Sequence, residues 1–200
     1  MDKVSYLLAS LTMMLSFVSC SSVRETGTVT GIFGDNVPDS VRVYIPAIHY
    51  DEIFDVFGDQ ATVKIPICLY SEAHFWPKGM SNVRFVSDGT ALTIDFSTPD
   101  SLIITSADSR HSLDHHWRNY NAWYALQCDR ANTKKEPLSE NITYKDKAKA
   151  FIVTNNDNII ALYALRDLSN WVSKEELQPL IDQLSPKLQR SDEVKHILSR

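Results

Sequence analysis

In the stretch RHSLDHHW, His111 and His115 stand four residues apart, the spacing at which one helix face can offer two imidazoles to a divalent metal. No HExxH glutamate lies between them and no third ligand follows at a specific spacing, while Asp114 is placed to pair with Arg118 one helical turn on. A solvated helix face is the expected setting of the two histidines, with a metal site as the competing reading. Cys68 and Cys128 can close a disulfide around a loop of about sixty residues, or stay two thiols that behave as small hydrophobes. Neither belongs to a CxxC, and without a resolving thiol a redox role for either is not expected. Trp76, before a proline in an expected loop, and Trp123, off the apolar stripe of its helix, are candidate ligand-binding aromatics for a sugar or a peptide. Sealing a helix against a sheet is the competing use of such rings. GxSxG, a glycine-rich phosphate loop and a zinc signature are all absent, so neither catalysis nor a cofactor is expected.

The third cysteine, Cys20, has a different setting. Lys3 and the amino terminus precede an apolar run over residues 4–18 that only Ser and Thr interrupt. That is a signal-peptide pattern, and it falls short of the about 20 apolar residues a spanning helix needs. An uncleaved anchor and a buried helix are the competing readings. The order Phe17-Val18-Ser19-Cys20 resembles the lipobox of bacterial lipoproteins, with Phe at the place usually held by Leu. The resemblance implies removal of residues 1–19, acylation of the Cys20 thiol with palmitate-like chains, and a polar tether over residues 20–27. Each buried methylene contributes about 0.8 kcal/mol, so a multiply acylated cysteine would hold the protein at the membrane.

A chain of 200 residues with 44% hydrophobic and 22% charged residues has the composition of a globular protein with one good core or two small ones. Its net charge of -5 argues against nucleic acid, which is bound through clustered Lys and Arg.

The candidate groups depend on two kinds of element. Over residues 28–106 the period is two: Val41, Val43 and Ile45 share one face, as do Val63, Ile65, Ile67 and Leu69, with Cys68 on the opposite side. NVRFVSDGTALTIDF predicts a hairpin turning at Asp88-Gly89, and SLIITS a further strand. Pro46 and Pro66 lack the donor of a central strand and belong at edges or bulges. About six strands in an antiparallel sheet or sandwich are predicted. Over residues 107–200 the period becomes helical. Leu113, Trp117, Tyr120, Tyr124, Cys128 and Ala131 mark a helix over about 109–132. Thr143 and Asn158 are predicted caps of the next two helices, and Ser173 with Glu176 forms a capping box before a helix that contains Pro179. Ser191 starts the last. The fold class predicted is α+β, a β region first and a helical region packed on it.

The order of these features, from GTVTGIFGD and VRVYI through VRFVSDGTALTIDF to FIVTNNDNIIALYALRDL and LQPLIDQLSPKLQRSDEVKHI, resembles the N-terminal part of lipid-anchored thiol-disulfide oxidoreductases of the TlpA and ResA type. That part is a domain of unknown function, and in the family a thioredoxin fold with a CxxC follows it. The sequence stops at Arg200, where that fold would start, so the redox activity is not carried over. The resemblance implies a non-catalytic accessory module of the bacterial cell envelope, whose partner can be a separate thioredoxin-like envelope protein. Ser21 and Ser22 after the cysteine, with no acidic run, point to the periplasm-facing side of the outer membrane. A glycan- or peptide-binding lipoprotein using Trp76 and Trp123 is the alternative.

Overall fold

A computed structural model describes residues 25–98 and 101–199, so the expected signal peptide and Cys20 lie outside the described residues. Eight strands come first: β1 (Thr26–Ile32), β2 (Ser40–Ile45), β3 (Tyr50–Asp55), β4 (Gln60–Pro66), β5 (Cys68–Pro77), β6 (Val83–Ser87), β7 (Leu92–Asp95) and β8 (Ile103–Ser106). Six helices follow: α1 (Leu113–Lys134), α2 (Ile142–Thr154), α3 (Ile159–Leu168), α4 (Lys174–Ile181), α5 (Pro186–Gln189) and α6 (Asp192–Ser199). The α+β class and its order are as the hydrophobic periods predict. Strand β1 already begins at Thr26, so the sheet takes in the end of the stretch expected as tether.

The strands form two four-stranded sheets, ordered β4-β1-β7-β8 and β3-β2-β5-β6. All pairs are antiparallel except β1 with β7. Val29, Val63, Ile65 and Ile94 from the first sheet meet Val41, Val43, Ile45 and Phe75 from the second in one buried cluster, which makes the pair a sandwich. Gly31 is required there, because a Cβ on it would stand 2.8 Å from the ring tips of Phe33 and Phe75.

Two strand expectations are corrected. The Asp88-Gly89 turn does not close a hairpin: β6 lies in the second sheet and β7 in the first, so the turn is an arch between sheets. Gly89 still supplies the positive φ of +93° the turn needs, and Asp88 Oδ1 accepts from the Thr90 N–H at 2.8 Å. A local turn signal fixes a reversal, not the partner of the strand that leaves it. The run ATVKIPICLY is also not one strand with one buried side. Pro66 ends β4, an edge strand as predicted, and the chain crosses to the second sheet at Ile67. The crossing resets the alternation, so Cys68 is buried in the sandwich core while Ile67 and Leu69 are only partly covered. A bulge between Cys68 and Ala73 lets both point inward although they are five positions apart. Strand β3, with its charged YDEIFD, has no clean alternation and is not among the predicted strands.

The helices build a second core. Helix α3 is buried nearly all round through Ile159, Ile160, Leu162, Leu165 and Leu168, as the central member of a bundle must be. Asn158 caps it as predicted, its Oδ1 accepting from Ile160 N–H at 3.0 Å. The capping box of Ser173 and Glu176 is present, and Pro179 lies inside α4. Ser191 Oγ accepts from Val194 N–H at 3.3 Å in the first turn of α6. The predicted cap at Thr143 is replaced by Asn141, whose side chain accepts from Tyr144 N–H at 2.9 Å. The helix starts at Ile142, earlier than a cap at Thr143 implies, which puts Asn141 at the cap, where Asn is favoured over Thr. This core packs on the outer face of the second sheet, where Val86 of β6 and Tyr70 of β5 join it.

Candidate functional site: the outer sheet face and the cleft at α3

Helix α1 is fastened to β6 by two side chains. Asp114 Oδ1 accepts from Val86 N–H at 2.8 Å, and Arg118 donates from Nε to Asp114 Oδ2 at 2.7 Å and from Nη2 to the Arg84 carbonyl at 2.6 Å. The Asp114–Arg118 pair expected from spacing therefore exists, and it satisfies backbone groups along a strand edge. Asp88 adds a carboxylate oxygen that accepts from the Leu113 and Asp114 amides at the start of α1.

The rest of that sheet face is uncovered. Across β3, β2 and β5 one row reads Ile53, Arg42, Trp76. The next row reads Asp51, Tyr44, His74 and, on β6, Arg84. Trp76 is 49% exposed and Ile53 69%. Arg42 is held flat across the face by a two-pronged bond to Asp51, at 2.7 and 2.6 Å, and lies 5.9 Å from the Tyr44 ring centre. Asp51 is held below the ordinary carboxylate range chiefly by that hydrogen bond, with the guanidinium charge acting the same way. Tyr44 and His74 rings lie 5.7 Å apart, and His74 Nδ1 meets Asn82 Nδ2 at 2.9 Å. With Asn82 donating, Nδ1 is the acceptor and the neutral imidazole carries its proton on Nε2.

Where this face meets the helical bundle, a cleft of about 260 Å3 opens, lined by Tyr70, Glu72, His74, Tyr163, Arg166 and Glu193. The Arg166 guanidinium stacks 4.1 Å over the Tyr163 ring and reaches Asp167 Oδ1 at 3.3 Å. Lys187 Nζ sits 3.6 Å over the Tyr70 ring. Behind them Asp167 is buried and accepts from Tyr120 OH at 2.8 Å. Burial lifts the Asp167 carboxyl above its usual range despite the opposing Tyr120 bond and Arg166 charge, and burial also drives the Tyr120 phenol upward. Face and cleft together offer a flat aromatic and apolar floor, cations held at Arg42, Arg166 and Lys187, and a polar wall, a combination that can hold a ligand by stacking and hydrogen bonding.

The residues singled out from sequence do not assemble. His111 is not on the helix: Ser112 is the N-cap, accepting from His115 N–H, and α1 begins only at Leu113. The predicted shared face of His111 and His115 is therefore not formed. His111 is 82% exposed and bonds Asp108 Oδ2 through Nδ1 at 2.8 Å. No group of three or more metal-ligating side chains occurs among the described residues. Cys68 and Cys128 are both free thiols, one in the sandwich core and the other half-buried against the helical core. The possible disulfide is not formed, because each cysteine packs with a different core. Trp123, expected off the apolar stripe as an open aromatic, is packed instead. Its ring stacks on Tyr144 at 5.7 Å and 12° and touches the Phe151 ring at 5.2 Å, with Lys147 Nζ 5.1 Å above it. Trp76 sits on a strand, not in a loop. Arg42, Tyr44, Ile53 and His74 went unnoticed in sequence, although the alternation of VRVYI already put Arg42 and Tyr44 on the side away from the core.

No protein-family model, curated protein or solved structure matches this chain.

Proposed function

We propose that this protein is a non-catalytic binding module of the bacterial cell envelope, anchored through lipid on Cys20, that holds a protein partner on the outer face of its second sheet. One observation carries the reading: Trp76 is half exposed on a strand, with Arg42 beside it and the exposed Ile53 beyond Arg42 in the same row. Large apolar side chains gathered on a rigid sheet beside a fixed Arg have the make-up of an interface centre, where Trp, Tyr and Arg dominate the binding energy. The glycan reading is weakened at one of its two aromatics, since Trp123 is half-buried, stacked on Tyr144 against the helical core. The lipobox resemblance supports the anchor, and the TlpA-type resemblance supports a thioredoxin-like partner.

The test is site-directed photo-crosslinking in intact cells, with the crosslinking residue at position 76 or 53, and at Lys64 on the far sheet as control. Discrete adducts are expected at 76 and 53 and not at 64; equal patterns at all three would refute the assignment of the face. Palmitate labelling that survives Cys20→Ser would refute the anchor.

A further inference from the structure

The two edges of the second sheet are treated differently. At β6 the backbone groups of Arg84 and Val86 are taken by Arg118 and Asp114, as a neighbouring strand would take them. At the other edge β3 pairs with β2 alone among the described residues.

The ladder shows which β3 groups face outward. Val56 N–H donates to the Asp39 carbonyl at 3.1 Å, which makes 39 and 56 a hydrogen-bonded pair. In an antiparallel ladder such pairs alternate, so Phe54, Glu52 and Tyr50 bond to β2. Asp51, Ile53 and Asp55 turn their N–H and C=O groups away from it. The register runs unbroken over all six residues of β3. No Pro, Lys or bulge blunts it; its protection is the acidic set Asp51, Glu52 and Asp55, which repels another acidic strand and not a basic one. The side chains of the same three residues point to the outer face, where Ile53 is 69% exposed.

We propose that this edge accepts an extended segment of the partner as a fifth strand, with an apolar residue opposite Ile53 and Lys or Arg opposite Asp51 and Asp55. The inference rests on the reading of the outer face as the partner surface, which β3 continues. Charge selects the occupant. A second copy pairing antiparallel about Ile53 would set Asp51 against the partner's Asp55, and like charges directly opposite destabilise a strand pair. The same two positions reward basic side chains, giving the alternating pattern basic, any, apolar, any, basic.

The test uses the intact lipid-free chain and two blocked peptides, Thr-Lys-Thr-Val-Thr-Lys-Thr and its counterpart with Glu for both Lys. Amide exchange and fluorescence anisotropy are followed at low salt. The Lys peptide is expected to bind roughly tenfold more tightly, from two cross-strand charge pairs. It should slow exchange at Asp51, Ile53 and Asp55. Ile53→Pro removes an outward N–H that the β2 ladder does not use, so the fold should persist while peptide binding drops at least fivefold. Asp55→Lys should abolish the peptide preference, because each peptide then meets one opposite and one like charge, and it covers the case of a misfolded proline variant. Equal affinity for both peptides, unchanged exchange at the three amides, or concentration-dependent self-association through β3 would each overturn the proposal. Crosslinks at position 76 that survive Ile53→Pro would overturn strand addition and leave the outer-face reading standing; their loss would support it.

Discussion

Asp114→Ala should uncouple α1 from the sheet, and its size follows from the groups left behind. The side chain is 3% exposed and serves Val86 N–H and the Arg118 guanidinium. Removing it strands the Val86 amide, at a cost of about 1–3 kcal/mol for a buried donor without a partner. Arg118 is 32% exposed, so water takes over part of its solvation and its loss adds only about 1 kcal/mol. A total of about 2–4 kcal/mol is expected. With a urea slope of about 2 kcal/mol per molar, the midpoint should fall by about 1–2 M. Asp114→Asn keeps an acceptor for Val86 and should cost about 1 kcal/mol. Urea unfolding of the three chains by tryptophan fluorescence gives all the numbers needed. A change under about 0.5 kcal/mol for Asp114→Ala, the usual range of a surface substitution, would refute the clasp. An Asn variant as damaged as the Ala variant would refute the division between backbone acceptor and charge.

Three further outcomes follow from the packing. Trp76→Ala should leave stability within about 0.5 kcal/mol, since the ring is an exposed one, whereas Trp123→Ala should cost about 3 kcal/mol by emptying an aromatic stack; thermal melts of both decide it, and equal costs would refute the distinction. Gly31→Ala should destabilise by about 1–3 kcal/mol, because the new methyl enters the space of the Phe33 and Phe75 rings, and a denaturation midpoint equal to the parent's would show that they yield freely. Burial raises the Asp167 carboxyl, so the folded chain keeps this proton at pH values where the unfolded chain has released it. Its contribution is therefore present in acid and lost as pH rises through the lifted value. Asp167→Asn should flatten that part of a Tm profile, and a profile with unchanged slope would count against the lifted carboxyl.

Much of the local structure is written in neighbouring residues. The capping box at Ser173, the cap at Asn158, the stripe of α1 and the alternation of β2 each depend on groups a few positions apart, and all are present. The change from period two to helical period set the α+β class before any contact was known, since each period has only one way to bury its apolar side. The Asp114–Arg118 pair is also a matter of helical spacing.

The candidate site was not legible in the same way. Trp76 and Trp123 are the same residue type, yet one lies open on a sheet and the other is stacked on Tyr144 and tilted against Phe151. Which is which depends on where α2 packs, a contact between segments about twenty residues apart. Cys68 changed sides because Pro66 handed the chain to another sheet, and Asp88-Gly89 joined two sheets instead of two neighbours. Sequence fixes reversals, caps and periods through short-range sterics and hydrogen bonds. Partner strands, exposed faces and free edges arise only when distant segments compete for the same apolar surface, and tertiary packing alone decides that competition.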